Sequence, residues 1–232
     1  MVPSSLSGLI PQSTKRAVRE TVQRYRLRMA LQRLLKLPRG RVPAPVLLQA
    51  LRRAWGDEGY SANLEYLQEV ARHAVAAEGP ILECGSGLTT ILLGALAGRH
   101  GVVVHTVEHS AEWYRRVAEV LREYGITGVR LHLAPLLDRG SFAWYDVPED
   151  VWPDEFRLVV CDGPPGVTKG GRYGLLPLVG ARLPPGSVVL LDDATRQSEI
   201  AALGRWRGER ELRARVYEGP DCAYAVLTLG RR

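Results

Sequence analysis

From residue 81 onward, short apolar blocks alternate with amphipathic stretches. Ile81–Cys84, Val102–Val107, Val129–Leu133, Phe156–Cys161 and Val188–Leu191 are short runs with apolar character, and they read as strands of a buried sheet. Helices are predicted between them over 88–98, 111–124, 173–182 and 195–204, the second capped by Ser110. Two further strands, at 211–217 and 222–229, end the pattern. Strands alternating with helices predict a doubly wound, mostly parallel α/β sheet. The last two strands are separated only by Glu218-Gly219-Pro220-Asp221. That is too short for a crossover helix, so a hairpin joins them and one edge strand is antiparallel.

The N-terminal part has only helical periodicity. Ser13 or Thr14 can cap a helix running to Leu35. Val18, Val22, Tyr25 and Met29 step by three or four along one side of it. A second row, Leu27, Leu31, Leu34 and Leu35, lies on roughly the opposite side, so the two ends pack on different surfaces or the helix bends. Lys36-Leu37-Pro38-Arg39-Gly40 ends it, and a second helix spans Ala44 to Trp55. A loop over 56–63 follows, with Ser61 as cap of a helix through Ala77. The division expected is a helical arm over 1–55 and an α/β domain over 56–232.

Charge sharpens that division. Residues 1–53 carry 12 Lys and Arg against the single acid Glu20, while the remainder is net −5, so the overall +6 conceals a basic arm on a mildly acidic domain. Such an arm could lie on an anionic membrane surface, touch nucleic acid, or pack its apolar rows on its own domain or on a second subunit. The last reading is favoured, because no aromatic ladder or RNA-binding signature accompanies the arginines. Cys84, Cys161 and Cys222 are far apart with no C-x-x-C pair, which argues against zinc and fits buried free thiols in a reducing cytoplasm. No apolar run is long enough to span a bilayer, and the N-terminus lacks a signal-peptide core.

The chemistry centres on Glu83-Cys84-Gly85-Ser86-Gly87, where a buried strand turns tightly into a helix. Two glycines let the backbone turn and a ligand come close, and the amides opening the helix face that ligand. A dinucleotide turn would carry a third glycine where Thr90 stands. Glu83 would repel a pyrophosphate and attract an ammonium. The pattern E-x-G-x-G resembles the first motif of the class I S-adenosylmethionine-dependent methyltransferases. Val159 to Gly166, with D-G-P-P-G, and Leu190-Leu191-Asp192-Asp193 resemble later motifs of the same family, and residues 56–229 as a whole look similar to a bacterial group within it. The resemblance implies a Rossmann-like seven-stranded sheet whose last strand inserts antiparallel. It also implies S-adenosylmethionine as cofactor, touched by Tyr60, Ser61, Glu83, Gly85, Ser86, Gly87, Thr89, Glu108, His109, Ala134, Pro135 and Asp162, with Asn63 a further candidate.

Four predicted strands end in acids, Glu83, Glu108, Asp162 and Asp192-Asp193. Carboxylates near a crevice are costly unless they meet a donor or cation. Glu108 suits the ribose hydroxyls. Asp162, Asp192 and Asp193 resemble the Mg²⁺ ligands of small-molecule O-methyltransferases, an oxygen set proper to that ion. The lysine those relatives carry three residues after the strand-four acid is Pro165 here, and Lys169 is its nearest substitute. Asp162 or Asp193 is a candidate general base. Arg172, Tyr173 and Arg196 are candidate contacts for an acidic or sugar-like substrate, and Trp144 and Tyr145 candidate pocket walls. Trp113 would shield the adenine or simply pack. The expected activity is methylation of a hydroxyl on a small-molecule acceptor. The alternative is an RNA or protein methyltransferase that grips its substrate with the basic arm.

Overall fold

A computed structural model of the chain describes residues 12–56, 62–219 and 222–231. Tyr60 and the expected cap Ser61 lie outside the described residues. Three helices come first, α1 (Gln12–Leu35), α2 (Pro45–Trp55) and α3 (Leu64–Ala76). Then strands and helices alternate: β1 (Ile81–Cys84), α4 (Leu88–Leu96), β2 (Val104–Glu108), α5 (Ala111–Glu123) and β3 (Val129–Leu133). A small antiparallel pair follows, β4 (Leu136–Asp138) with β5 (Ala143–Tyr145). The sheet resumes with β6 (Leu158–Cys161), α6 (Leu175–Val179), β7 (Val188–Asp192), α7 (Gln197–Glu209), β8 (Leu212–Glu218) and β9 (Ala223–Leu229).

The seven strands are ordered β3-β2-β1-β6-β7-β9-β8. β9 runs antiparallel to both β7 and β8. The hairpin is therefore as expected, but its antiparallel strand is inserted between β7 and β8 rather than lying at the edge. The order reverses between β1, which pairs with β2, and β6, so the crevice of a doubly wound sheet opens at the C-terminal ends of β1 and β6.

Alternation along the strands feeds two cores. Ile81, Val160 and Leu190 face one core with α1 to α5, and Leu82, Val159, Cys161, Val189 and Leu191 face the other with α6 and α7. The fully buried Trp206 of α7 donates from its ring nitrogen to the Tyr173 carbonyl at 2.9 Å. The three thiols are buried and free.

Local differences from the expected elements have local causes. Ser13 and Thr14 lie inside α1 rather than capping it. The helix expected over 173–182 is a short α6 tightening into a 3₁₀ turn at Gly180–Arg182. α3 begins after Asn63. The helix α2 ends where Gly56 takes the left-handed conformation, φ 87°, a common helix stop. The aromatic stretch at 142–145 is ordered as β5, a flap paired with β4.

The two rows of α1 resolve into an inner and an outer face. Leu31 and Leu34 are fully buried and share a core with Leu48 and Leu51 of α2 and with α3 and α4. Val18, Val22, Tyr25 and Met29 are exposed. Gln23 donates to the Trp55 carbonyl at 3.2 Å and ties α1 to the end of α2. No described helix is long and apolar enough to cross a membrane. Because only the inner row is packed, Leu31→Ala should cost about 2–5 kcal/mol, while Val18→Ala stays within about 0.5 kcal/mol. Urea denaturation followed by circular dichroism, with an unchanged slope, checks both.

Candidate active site

The turn after β1 is built by an interlock of glycines. Gly85 has φ 85°, in the left-handed region. A Cβ there would stand 2.9 Å from the Gly163 nitrogen, and a Cβ on Gly163 would stand 2.9 Å from the Gly85 Cα. The amides of Asp162 and Gly163 both donate to the Cys84 carbonyl, at 3.0 and 2.6 Å. The E-C-G-S-G and D-G-P-P-G turns thus touch backbone to backbone at the switch point. A Cβ on Gly87 would meet nothing within 4 Å, so the helix start beyond it is open to a ligand. Its amide donates to the Thr90 hydroxyl at 2.9 Å.

Above these turns lies a cavity of about 1530 Å³. Gly85, Ser86, Glu108, His109, Trp113, Tyr145, Asp162, Gly163, Arg172, Asp192, Asp193 and Arg196 line it, with Gln49, Arg52, Asn63 and Glu65 from the helical side. The volume exceeds that of an ordinary small-molecule pocket and leaves room for a nucleoside beside a second ligand.

Glu108 closes β2 and is held by a ring of donors. Its carboxylate accepts from the Ser86 amide at 2.8 Å, the Ser86 hydroxyl at 2.9 Å and the Ser110 amide at 2.6 Å, with His109 Nδ1 at 3.0 Å. Burial would raise its pKa, but these donors outweigh it and leave the group below the ordinary glutamate value. A charged acceptor is therefore kept at the cavity wall.

Glu83 behaves differently. It is fully buried and does not line the cavity, so it lies beneath the site rather than in it. It accepts from the Thr106 hydroxyl at 2.8 Å, while Oε1 has no hydrogen bond of good geometry. Burial raises its pKa to about 7 against the opposing help of the Thr89, Thr90 and Thr106 hydroxyls.

At the ends of β6 and β7, Asp162, Asp192 and Asp193 bring carboxylate oxygens within 4.8 Å of one another. Asp193 has φ 54°, a left-handed conformation that aspartate tolerates better than most residues. The buried Arg172 reaches into this cluster from the interior. It donates to the carbonyls of Asp162 and Asp192, and its Nη2 lies 3.3 Å from Asp162 Oδ1 and 3.3 Å from Asp193 Oδ2. Its Nε is 3.6 Å from the fully buried Glu199. Arg196 adds a second cation, 2.8 Å from Asp193. Burial, with Asp162 and Asp193 alongside, pushes Asp192 well above the usual carboxylate range. Burial also raises Asp162, with Arg172 opposing.

Not every predicted residue reaches this cavity. Lys169 pairs with Asp138 at 3.1 Å on the exposed flap and does not line it. Thr89 is buried in α4, and Gly87, Ala134 and Pro135 are outside the lining set. The Ala134 amide instead donates to the Glu108 carbonyl at 2.8 Å. Tyr173 donates to Glu209 at 2.6 Å and lies under Arg205, away from the cavity. Arg172, expected at the substrate, is a buried brace whose edge faces the cavity. Trp113 does both things considered for it, lining the cavity and stacking near Trp55 at 6.4 Å. His105 is buried and stacked on His132 at 5.7 Å, away from the cavity that His109 lines. Trp144 packs in the core, while Tyr145 lines the cavity with a buried hydroxyl that has no hydrogen-bond partner. Gln49 and Arg52 were not anticipated. Their signal is weak, two of the three polar positions on an otherwise apolar α2 that is remote from the motifs in sequence.

Comparison with known proteins agrees with this geometry. Residues 82–194 match a family model described as a methyltransferase domain. No curated protein matches the chain in sequence. Among solved structures, the chain is similar to a precorrin-6y C5,15-methyltransferase from Geobacter metallireducens GS-15, with TM-score 0.57, 14% identity, and 75% of this chain and 92% of that one covered. It is also similar to an O-methyltransferase from Bacillus cereus in complex with SAH, with TM-score 0.56, 14% identity and coverage of 81% and 92%. An rRNA methylase from Streptococcus thermophilus gives TM-score 0.51, 15% identity and coverage of 72% and 93%.

The site fits S-adenosylmethionine: Glu108 offers a charged acceptor for a ribose diol, the start of α4 is open, and Asp162 places a carboxyl group beside the glycine turns. The state of Glu83 gives a measurable consequence. Its folded pKa is raised above the ordinary value of 4.5, so its contribution to stability is present below pH 4.5 and is lost as pH rises through about 7. Relative to Glu83→Gln, the unsubstituted protein without cofactor should lose roughly 3 kcal/mol across that window. Denaturant titrations at pH 4.5, 6 and 8 read this directly. Together, sequence match and sheet order show that residues 82–194 match the methyltransferase-domain family and that the chain has the Rossmann-like fold of methyltransferases.

Proposed function

We propose that the protein transfers the methyl group of S-adenosylmethionine to a hydroxyl of a small-molecule or sugar-like acceptor. The observation that carries this reading is the cluster of Asp162, Asp192 and Asp193 in the same cavity as Gly85, Ser86 and Glu108. Cofactor and acceptor then meet over the ends of β1, β6 and β7.

Each residue has a role that follows from its place. Glu108 accepts hydrogen bonds from the ribose. Asp162, beside the Gly85–Gly163 contact, stands on the cofactor side and favours the sulfonium charge. Asp193, further along the sheet and next to Arg196, stands on the acceptor side and takes the proton of the attacking hydroxyl. Arg172 holds the tips of β6 and β7 at a fixed separation, which sets the approach of the acceptor oxygen to the methyl group. Tyr145 offers a neutral hydroxyl at the wall, its pKa held well above the ordinary value by burial.

Asp162, Asp192 and Asp193 would also hold Mg²⁺. Their carboxylate oxygens lie within 4.8 Å of one another, close enough to share one ion. The all-oxygen set suits that ion. Bound there, it would lower the pKa of an acceptor hydroxyl. The O-methyltransferase from Bacillus cereus supports the oxygen-directed reading by likeness of fold. The charge of the arm and the likeness to the rRNA methylase favour the alternative, transfer to RNA or protein.

Transfer of labelled methyl from S-adenosylmethionine, screened over catechol, polyol and sugar acceptors and over RNA and protein fractions, tests the proposal. Label should appear on a small-molecule oxygen, and EDTA should reduce it, with Mg²⁺ restoring it. Label confined to RNA or protein overturns the reading. With the acceptor found, Asp193→Asn should lower kcat on the order of 10²–10⁴-fold, while affinity for the demethylated cofactor changes by less than about threefold. Asparagine also tolerates the left-handed backbone, so the loss would report chemistry rather than misfolding.

A further inference from the structure

The outer face of α1 has no part in the site or the core. Val18, Val22, Tyr25 and Met29 are 57%, 42%, 64% and 37% exposed. At 3.6 residues per turn they fall within an arc of roughly 60°. They account for four of the eleven exposed large hydrophobics among the described residues, and the others do not form a row of this kind. Arg19 and Arg26 flank the stripe on one side, and Arg24 and Arg28 on the other, all exposed. The opposite side of the same helix, Leu31 and Leu34, is already buried against α2, α3 and α4. The outer stripe therefore faces away from the domain.

We infer that this face docks on an anionic phospholipid surface, with α1 lying in the plane of the interface. Charge complementarity selects this occupant. A second copy would bring arginine flanks against arginine flanks, since α1 carries a single acid, Glu20, and that acid is paired with Arg16 at 2.8 Å. Nucleic acid would match the arginines but leave Val18, Val22 and Met29 without apolar cover. A lipid surface satisfies both, because apolar side chains enter the acyl boundary while guanidiniums meet the phosphates. α1 is too polar to cross a membrane, so it lies on it rather than spanning it. The inference does not depend on which acceptor is methylated.

The test is co-sedimentation of the full chain with vesicles of phosphatidylcholine, with and without about one-third phosphatidylglycerol. Binding to the anionic vesicles should exceed binding to the neutral ones by at least about tenfold and weaken with salt. Val22→Glu with Met29→Glu should remove it, while binding of S-adenosylmethionine, read by calorimetry, is kept. If that variant loses cofactor binding, Val22→Ser with Met29→Ser is read in its place. Equal or absent binding to both vesicles overturns the inference. So does salt-sensitive binding of an RNA oligonucleotide that survives the Val22 and Met29 changes without vesicle binding. A dimer in sedimentation equilibrium that the same changes dissociate, with no vesicle binding, overturns it in favour of a second copy.

Discussion

A buried guanidinium among carboxylates at the ends of two parallel strands is the interaction on which the site depends. Taking charge out of water is expensive, and it is tolerated only where partners are close and fixed. Arg172 meets that condition by holding the Asp162 and Asp192 carbonyls together with the carboxylates of Asp162, Asp193 and Glu199. It therefore ties β6, β7 and α7 at one point and keeps a group of acids close together where they would otherwise repel. Gly170 and Gly171, with φ 77° and 54°, immediately precede it. A Cβ on Gly171 would stand 2.7 Å from the Ser198 Cβ, so only a bare backbone carries the chain close enough for Arg172 to enter.

The two acids at the ends of β1 and β2 show how environment divides similar groups. Glu108 is ringed by donors and stays charged at the cavity wall, whereas Glu83 is sealed beneath the turn with a single hydroxyl donor of good geometry. The same side chain is a charged acceptor at a cavity wall in one place and a buried, proton-binding brace in the other. Desolvation decides between them. The contact of Gly85 with Gly163 joins these two halves, since it brings the acid-bearing turns of β1 and β6 within backbone distance.

The helical segment adds a second constraint. α1 is amphipathic twice over, with an inner row that completes the core and an outer row that the domain does not cover. α2 lies between that segment and the cavity and contributes Gln49 and Arg52 to its wall. The arm is thus continuous with the site through packing.

Much of this was legible in the residues alone. Short apolar blocks placed β1 and β3 to the residue, and strand–helix alternation led to the sheet class, because backbone geometry and burial act locally there. The glycine pairs and the acids ending β2, β6 and β7 pointed to the cavity for the same reason, whereas Glu83, within the block at 81–84, lies beneath it. What the chain order could not express was distance. The pairing of Lys169 with Asp138 away from the cavity and the packing of Trp144 in the core both follow from contacts between remote segments. Arg172 is the clearest case: as a letter after two glycines it reads as a loop cation open to substrate, and only the fold, by closing that loop onto two strand ends, turns it into the buried charge that the acids require.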